Sequence, residues 1–297
     1  MKLSIHHATT YRYDTLVNYT IQYLRLTPRP ATCQNVLRWH LETPGQAQRM
    51  TDAYGNIMHV MVVDTPHQEV VIRVEGEAET LDTAGVVSGD GEPLPIGAFL
   101  RATPLTQPDA GLRDFTAPLH GLVVKDRLDA LHELSRRVAR AVVYCQGGTS
   151  ADSTAAHALA LGSGVCQDQT HVFITAARIL GIPARYVSGY VHVGSAGSGE
   201  DASHAWAEAW VDSLGWVGFD VANAVCPTEA HLRLAVGLDY FACAPVRGIR
   251  RGGGSEDLSV TVSVGRGAHQ PPGTMQNPSG QQQQQPTGGG ASTTQQQ

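Results

Sequence analysis

The spacing of apolar residues changes period along this chain, and those changes limit the folds open to it. Up to about residue 80 the period is two. Leu3 and Ile5 begin it, Leu37, Trp39 and Leu41 follow, and then Val70, Ile72 and Val74 alternate with Val71, Arg73, Glu75 and Glu77. Such alternation sends successive side chains to opposite faces of a strand. Thr27-Pro28-Arg29-Pro30, Thr43-Pro44-Gly45 and Asp52-Ala53-Tyr54-Gly55-Asn56 separate the runs with turn-forming residues. Residues 1–80 are therefore expected to form a small antiparallel β-sandwich. Further on, Leu128, Leu131, Leu134, Val138 and Val142 recur at spacings of three and four, which predicts an amphipathic helix of about five turns. Residues 81–118, rich in Gly, Pro, Asp and Thr, read as a connecting segment that contains the domain boundary.

The second domain is expected over residues 119–265. A short helical run at 154–161 precedes Gly162-Ser163-Gly164-Val165-Cys166-Gln167-Asp168, a tight glycine turn opening a helix to Leu180 that Gly181 and Pro183 end. Strands are then expected at 186–193, 203–211 and 216–221, so helices precede an antiparallel sheet, the order of an α+β domain. Residues 266–297 are mostly Gln, Gly, Pro, Ser and Thr, too poor in apolar surface to offset the entropy of ordering, and are read as a disordered tail.

Composition excludes some functions. The chain has 297 residues, 42% of them apolar and 16% charged, with a formal net charge of −6 and no basic stripe interleaved with aromatics, so nucleic acid is not expected as a partner. Five scattered cysteines without a CxxC pair argue against a disulfide framework or a structural zinc site, and point to reduced thiols in a cytoplasmic protein. The opening MKLSIHHATTYRYD breaks any apolar run, and no later stretch reaches the roughly 18 apolar residues of a membrane span. The sequence leaves the oligomeric state open.

Chemistry concentrates at three positions. Cys166 follows a Gly-x-Gly turn at the start of a helix, where partial positive charge and unpaired N–H groups favour a thiolate and can hold an oxyanion. Burial as an inert thiol is the commoner fate of cysteine, and it is assigned to Cys33, Cys145, Cys226 and Cys243. In Ser203-His204-Ala205-Trp206-Ala207-Glu208-Ala209-Trp210, alternation puts His204, Trp206, Glu208 and Trp210 on one face and the alanines on the other. Asp220 ends the apolar strand Gly215-Trp216-Val217-Gly218-Phe219, where a buried carboxylate needs a donor such as an imidazole N–H.

With Gly-Val-Cys-Gln-Asp at 164–168, Gly-Ile-Pro-Ala-Arg-Tyr-Val-Ser-Gly-Tyr at 181–190, Ser-His-Ala-Trp at 203–206 and Gly-Trp-Val-Gly-Phe-Asp at 215–220, the sequence resembles the bacterial transglutaminase-like superfamily. His6, Thr10, Tyr11 and Tyr13 look like its N-terminal β domain, and 236–240 with 245–248 like its closing segment. The resemblance implies a papain-like, transglutaminase-like α+β core with a Cys166, His204 and Asp220 triad. It also implies attack on a carboxamide or peptide carbonyl through an acyl-thioester, passed to a primary amine or to water. A protein or peptide is then the expected substrate, a purely hydrolytic peptidase or amidase the near alternative, and a non-catalytic peptide-binding module the distant one. Val221-Ala222-Asn223 stands where the family often has Pro-Thr-Asn, which keeps Asn223 but bears on the loop beside the acid. Asp168, Trp206, Asn223, Asp239 and Tyr240 are supporting candidates. No phosphate loop or ordered carboxylate cluster is present in the sequence, so neither cofactor nor metal is implied.

Overall fold

The computed structural model describes residues 1–87, 93–192 and 203–266. The expected tail, apart from Arg266, lies outside the described residues, as does Val193. Five strands open the chain: β1 (Lys2–Leu24), β2 (Gln34–Glu42), β3 (Gln46–Thr51), β4 (Ile57–Val63) and β5 (His67–Thr80). After β6 (Val86–Val87) come helices α1 (Ala110–Thr116), α2 (His120–Lys125) and α3 (Arg127–Ala141), then β7 (Val143–Tyr144). Helix α4 (Ala155–Leu161), β8 (Ser163–Gly164) and α5 (Cys166–Ile179) lead into β9 (Ala184–Val191), β10 (Ser203–Val211), β11 (Gly215–Phe219) and β12 (His231–Gly237). Helix α6 (Tyr240–Cys243), β13 (Val246–Gly252) and β14 (Glu256–Arg266) complete the described chain.

The first sheet is organised by β1. Its first half pairs with β5 on one side and β14 on the other, and its second half with β4 and β13. The pairing with β5 shifts register between Arg12 and Val17, where Asp14, Thr15 and Leu16 are all exposed. The strand turns there from one half-sheet into the other. Tyr11, Tyr13, Val17, Leu24, Met61, Val63, Val70, Ile72 and Val74 fill the space between the halves, giving the expected sandwich. Its membership differs from expectation, because β13 and β14, assigned by sequence to the second domain, are strands of the first sheet. The alternation of β2 also slips: a register shift between Val36 and Arg38 leaves Leu37 outward and 48% exposed, while Trp39 and Leu41 pack inward.

The second sheet has the order β12-β9-β10-β11-β6, antiparallel throughout. Residues 81–118 are more than a connection. They supply β6 to the edge of this sheet, and Leu105 and Leu112 to its core. Helix α5, buried from Asp168 through Arg178, packs against the face of β10 that carries Ala205, Ala207 and Ala209. Those small side chains let the helix backbone come close, and Phe173 stacks on Phe219 with ring centroids 5.1 Å apart. Helix α3 spans 15 residues, about four turns rather than five, with Leu131, Leu134 and Val138 inward. It stops before Val142, whose backbone is extended.

The two sheets meet through Leu3, Ile5, Ala78 and Val264 from the first and Tyr190, Leu232 and Leu234 from the second. Two amides sharpen the contact. Gln34 donates to the Arg233 carbonyl at 2.9 Å and accepts from its N–H at 2.8 Å; Asn56 does the same to Val236 at 2.8 and 2.9 Å. Strand β12 is the outer strand of its sheet, and these side chains satisfy the backbone groups that an edge leaves open.

Candidate functional site

The start of α5 is built by one carboxylate. Val165 precedes the helix with extended backbone and offers no side-chain cap. Asp168, 1% exposed, folds back instead: its Oδ2 accepts from the Val165 N–H at 2.8 Å and from Thr149 Oγ1 at 2.7 Å. Burial raises the Asp168 pKa against the opposing pull of those bonds. A side chain at Gly164 would put its Cβ 2.6 Å from Asp168 Oδ2, so only glycine lets the carboxylate lie across the turn. Upstream, Gly162 closes α4 in the left-handed conformation, φ +73°. Asp168 is thus a helix-start residue, and it fixes the backbone that presents the half-buried Cys166.

His204 comes from β10 and Asp220 from the end of β11. His204 places Nε2 2.8 Å from Asp220 Oδ2, and it lies near enough to Cys166 for the sulfur to act on its charge. With Nε2 so engaged, Nδ1 is the nitrogen left for the sulfur. Burial by itself lowers the pKa of His204, but the charge on Cys166, the bond to Asp220 and the Asp220 carboxylate outweigh it and raise it to about 10. Asp220 has no exposure. Burial raises its pKa, and bonds from His204, His231 and Asn223 reverse this and hold it well below the usual carboxylate range. Imidazole and carboxylate therefore meet in one crevice, with Cys166 near enough to influence the ring.

The supporting candidates divide. Asn223 donates through Nδ2 to Asp220 Oδ2 at 2.7 Å, and its backbone N–H lies 3.2 Å from Oδ1. The loop after Asp220 thus wraps its carboxylate. Trp206 is fully buried behind the site, its ring 6.2 Å from that of His204 and 5.4 Å from that of His231. Asp239 caps α6 by accepting from the Ala242 N–H at 3.0 Å. Tyr240 donates its backbone N–H to His171 Nε2 and packs on Tyr186. Both bond and pack in the core rather than at the crevice. Of the cysteines assigned to inert burial, Cys243 is buried, Cys33 and Cys226 are half-buried and Cys145 is exposed. Cys145 lies just past the two-residue β7, where no second layer covers it.

Sequence reasoning missed His231, whose Nε2 lies 3.0 Å from Asp220 Oδ2. It missed Thr149 as well. Neither falls in a motif, and only the acceptor needs of Asp220 and Asp168 pointed toward such donors. Among the described residues no group of three or more His, Cys, Asp or Glu side chains is arranged to hold a metal ion, and no helix is long and apolar enough to cross a membrane.

Residues 3–79 match the family model of the bacterial transglutaminase-like N-terminal region, and residues 120–221 that of the transglutaminase-like superfamily. An uncharacterized protein of Mycobacterium leprae is 32% identical over 284 residues, covering 89% of this chain and 99% of that protein. Another from Mycobacterium tuberculosis is 28% identical over 287 residues, covering 88% and 90%. A crystal structure of a candidate cysteine protease from Cytophaga hutchinsonii shares the fold, with a TM-score of 0.69 and 20% identity over 93% of this chain and 94% of that one.

Proposed function

The chain belongs to the transglutaminase-like superfamily, a family of cysteine enzymes, and from that premise we propose that it acts on carboxamide or peptide bonds through an acyl-thioester on Cys166. The observation that supports this reading is the His204–Asp220 bond beside Cys166, with the sulfur half-exposed and the acid fully buried. The raised pKa of His204 favours an imidazolium beside a thiolate.

The thiolate attacks the carbonyl carbon, and the carbonyl π pair moves onto oxygen. Helix geometry leaves the Cys166 N–H without an intrahelical acceptor, free to receive that oxyanion. As the tetrahedral species collapses, the C–N bond breaks and the His204 proton passes to the departing nitrogen, releasing ammonia or an amine. An incoming amine or water then gives a proton to His204 and attacks the thioester, and the sulfur leaves as thiolate. Asp220 keeps the ring oriented and stabilises its charged form throughout. A protein or peptide supplies the acyl group, and either a primary amine or water accepts it.

Incubating a glutaminyl peptide with and without a primary amine, and following ammonia, conjugate and free acid by mass spectrometry, tests the proposal. Ammonia release abolished by Cys166→Ala supports it. Conjugate with little acid assigns transamidation, and acid alone assigns hydrolysis. Selective alkylation of Cys166 by iodoacetamide at neutral pH is the substrate-independent check, and a Cys166 no faster than the other four cysteines refutes the proposal.

A further inference from the structure

Three side chains converge on a single oxygen of Asp220, and two of them, His231 and Asn223, have no part in the reaction above. His231 Nε2 lies 3.0 Å from Oδ2, beside His204 Nε2 at 2.8 Å and Asn223 Nδ2 at 2.7 Å. The other ring nitrogen of His231 accepts the backbone N–H of Thr228 at 3.1 Å. A backbone N–H can only donate, so Nδ1 offers a lone pair and the ring proton stands on Nε2, aimed at the carboxylate. The side chain is 4% exposed and meets Trp206 edge-on at an interplanar angle of 81°. Tautomer and orientation are both fixed by the fold.

We infer that His231 is a positioning residue of this site: it holds the Asp220 carboxylate with Oδ2 facing His204, and it acts on the reaction only through that carboxylate. This rests on the function proposed above.

The strand that carries His231 is anchored on two sides. Gln34 and Asn56 clamp its backbone at Arg233 and Val236, and Thr80 donates to the carbonyl of Glu229 just before it. Toward the sheet interior, Glu208 of β10 bridges two buried guanidiniums: Arg185 Nε at 2.6 Å and Arg233 Nε at 2.9 Å. Arg233 lies two residues beyond His231 on the same face of β12, so this bridge sets the spacing between the strands of His204 and His231. The first sheet thereby reaches the site without touching a substrate. His231 also lies beyond residue 221, where the match to the superfamily model ends.

The ionisable groups around the ring are Asp220 from the end of β11, His204 and Glu208 from β10, Arg233 from its own strand, and Cys33 from the turn before β2, across a small cleft. Among them only Asp220 bonds the ring. Removing the His231 donor loosens the carboxylate and weakens its hold on the His204 imidazolium. The step at which His204 loses its proton beside the thiolate moves to lower pH.

The test is the iodoacetamide alkylation rate of Cys166 across about pH 5 to 10 in the full chain, read by mass spectrometry of the Cys166 peptide. His231→Leu is expected to move the alkaline step down by about one pH unit, a tenfold loss in the proton affinity of His204. His231→Gln, whose amide can donate to the same oxygen, is expected to restore the alkaline step. A purely packing role lowers the unfolding midpoint of His231→Leu without moving that step, and this result overturns the inference. Histidine nitrogen NMR of the wild type needs no variant to fold. It is expected to show His231 with Nε2 protonated and Nδ1 bare, and the opposite tautomer overturns the inference. Selective alkylation of wild-type Cys166 with no response to residue 231 rejects the role of His231 alone; unselective alkylation rejects the proposed function.

Discussion

A carboxylate with no exposure to water keeps its charge only if donors replace the water, and Asp220 receives them from His204, His231 and Asn223. That charge, together with the sulfur, carries His204 to a pKa of about 10 against the opposing effect of burial. The sign of the linked stability follows. A histidine whose folded pKa exceeds its unfolded value stabilises the fold fully below the unfolded pKa, near 6.5, and loses that contribution as pH rises through the folded value. The protein is therefore expected to lose stability in urea as pH climbs from about 6.5 toward 10. Cys166→Ala removes the largest cause holding the pKa up, so the His204 NMR titration midpoint falls and the alkaline loss becomes smaller. An unchanged midpoint in that variant means that sulfur and ring are not paired. Cys166, His204 and Asp220 were legible in the sequence because each sits in a short motif whose local form presents it. His231 was not: it is the first residue of a strand without clean alternation, and its importance arises from a carboxylate on a different strand.

At the scale of the element, the turn into α5 shows what a glycine can signal. Gly164 belongs to the Gly-x-Gly turn before Cys166, and the group that comes close to it is the side chain of Asp168, returning to the Val165 N–H. Gly164→Ala forces a Cβ to 2.7 Å from the Asp168 Cβ, a contact that no rotation of the carboxylate relieves. Such crowding costs about 2 kcal/mol where the backbone must shift. The shifted backbone here is the one that carries Cys166. Gly164→Ala is thus expected to lower the urea midpoint and also to slow alkylation of Cys166, whereas an alanine at exposed Gly121 in α2, whose Cβ meets nothing within 4 Å, neither lowers the midpoint nor slows alkylation. Full reactivity in Gly164→Ala means that the turn does not position the sulfur. Periodicity located α3, α4, α5 and β9 to β11 because their faces are read locally. It did not detect the two-residue β6, which is too short to show a period and is defined only by its pairing with β11.

The sequence suggests two consecutive domains, and the connectivity of the whole molecule ties the end of the second to the first. Strand β1 is paired on both sides, and along one of them its neighbours come from the far end of the described chain: Leu3 through Tyr13 against β14, and Val17 through Leu24 against β13. No local pattern announces that pairing, since an alternating strand carries no mark of its partner. Val246 lies in the sandwich core and Val264 in the contact between the two sheets, so these strands close the first sheet and join it to the second. A chain ending at Ala244 leaves β1 with an open edge of N–H and C=O groups and apolar side chains, the arrangement that drives strand-to-strand aggregation. It is expected to be insoluble, or to unfold at markedly lower urea than a chain ending at Arg266. Because the first sheet also clamps β12, any soluble truncated chain is expected to have its alkaline step at lower pH, as in His231→Leu. A chain ending at Ala244 that stays soluble and matches the longer chain in urea midpoint and Cys166 reactivity would show that the first sheet is an independent unit with no hold on the crevice.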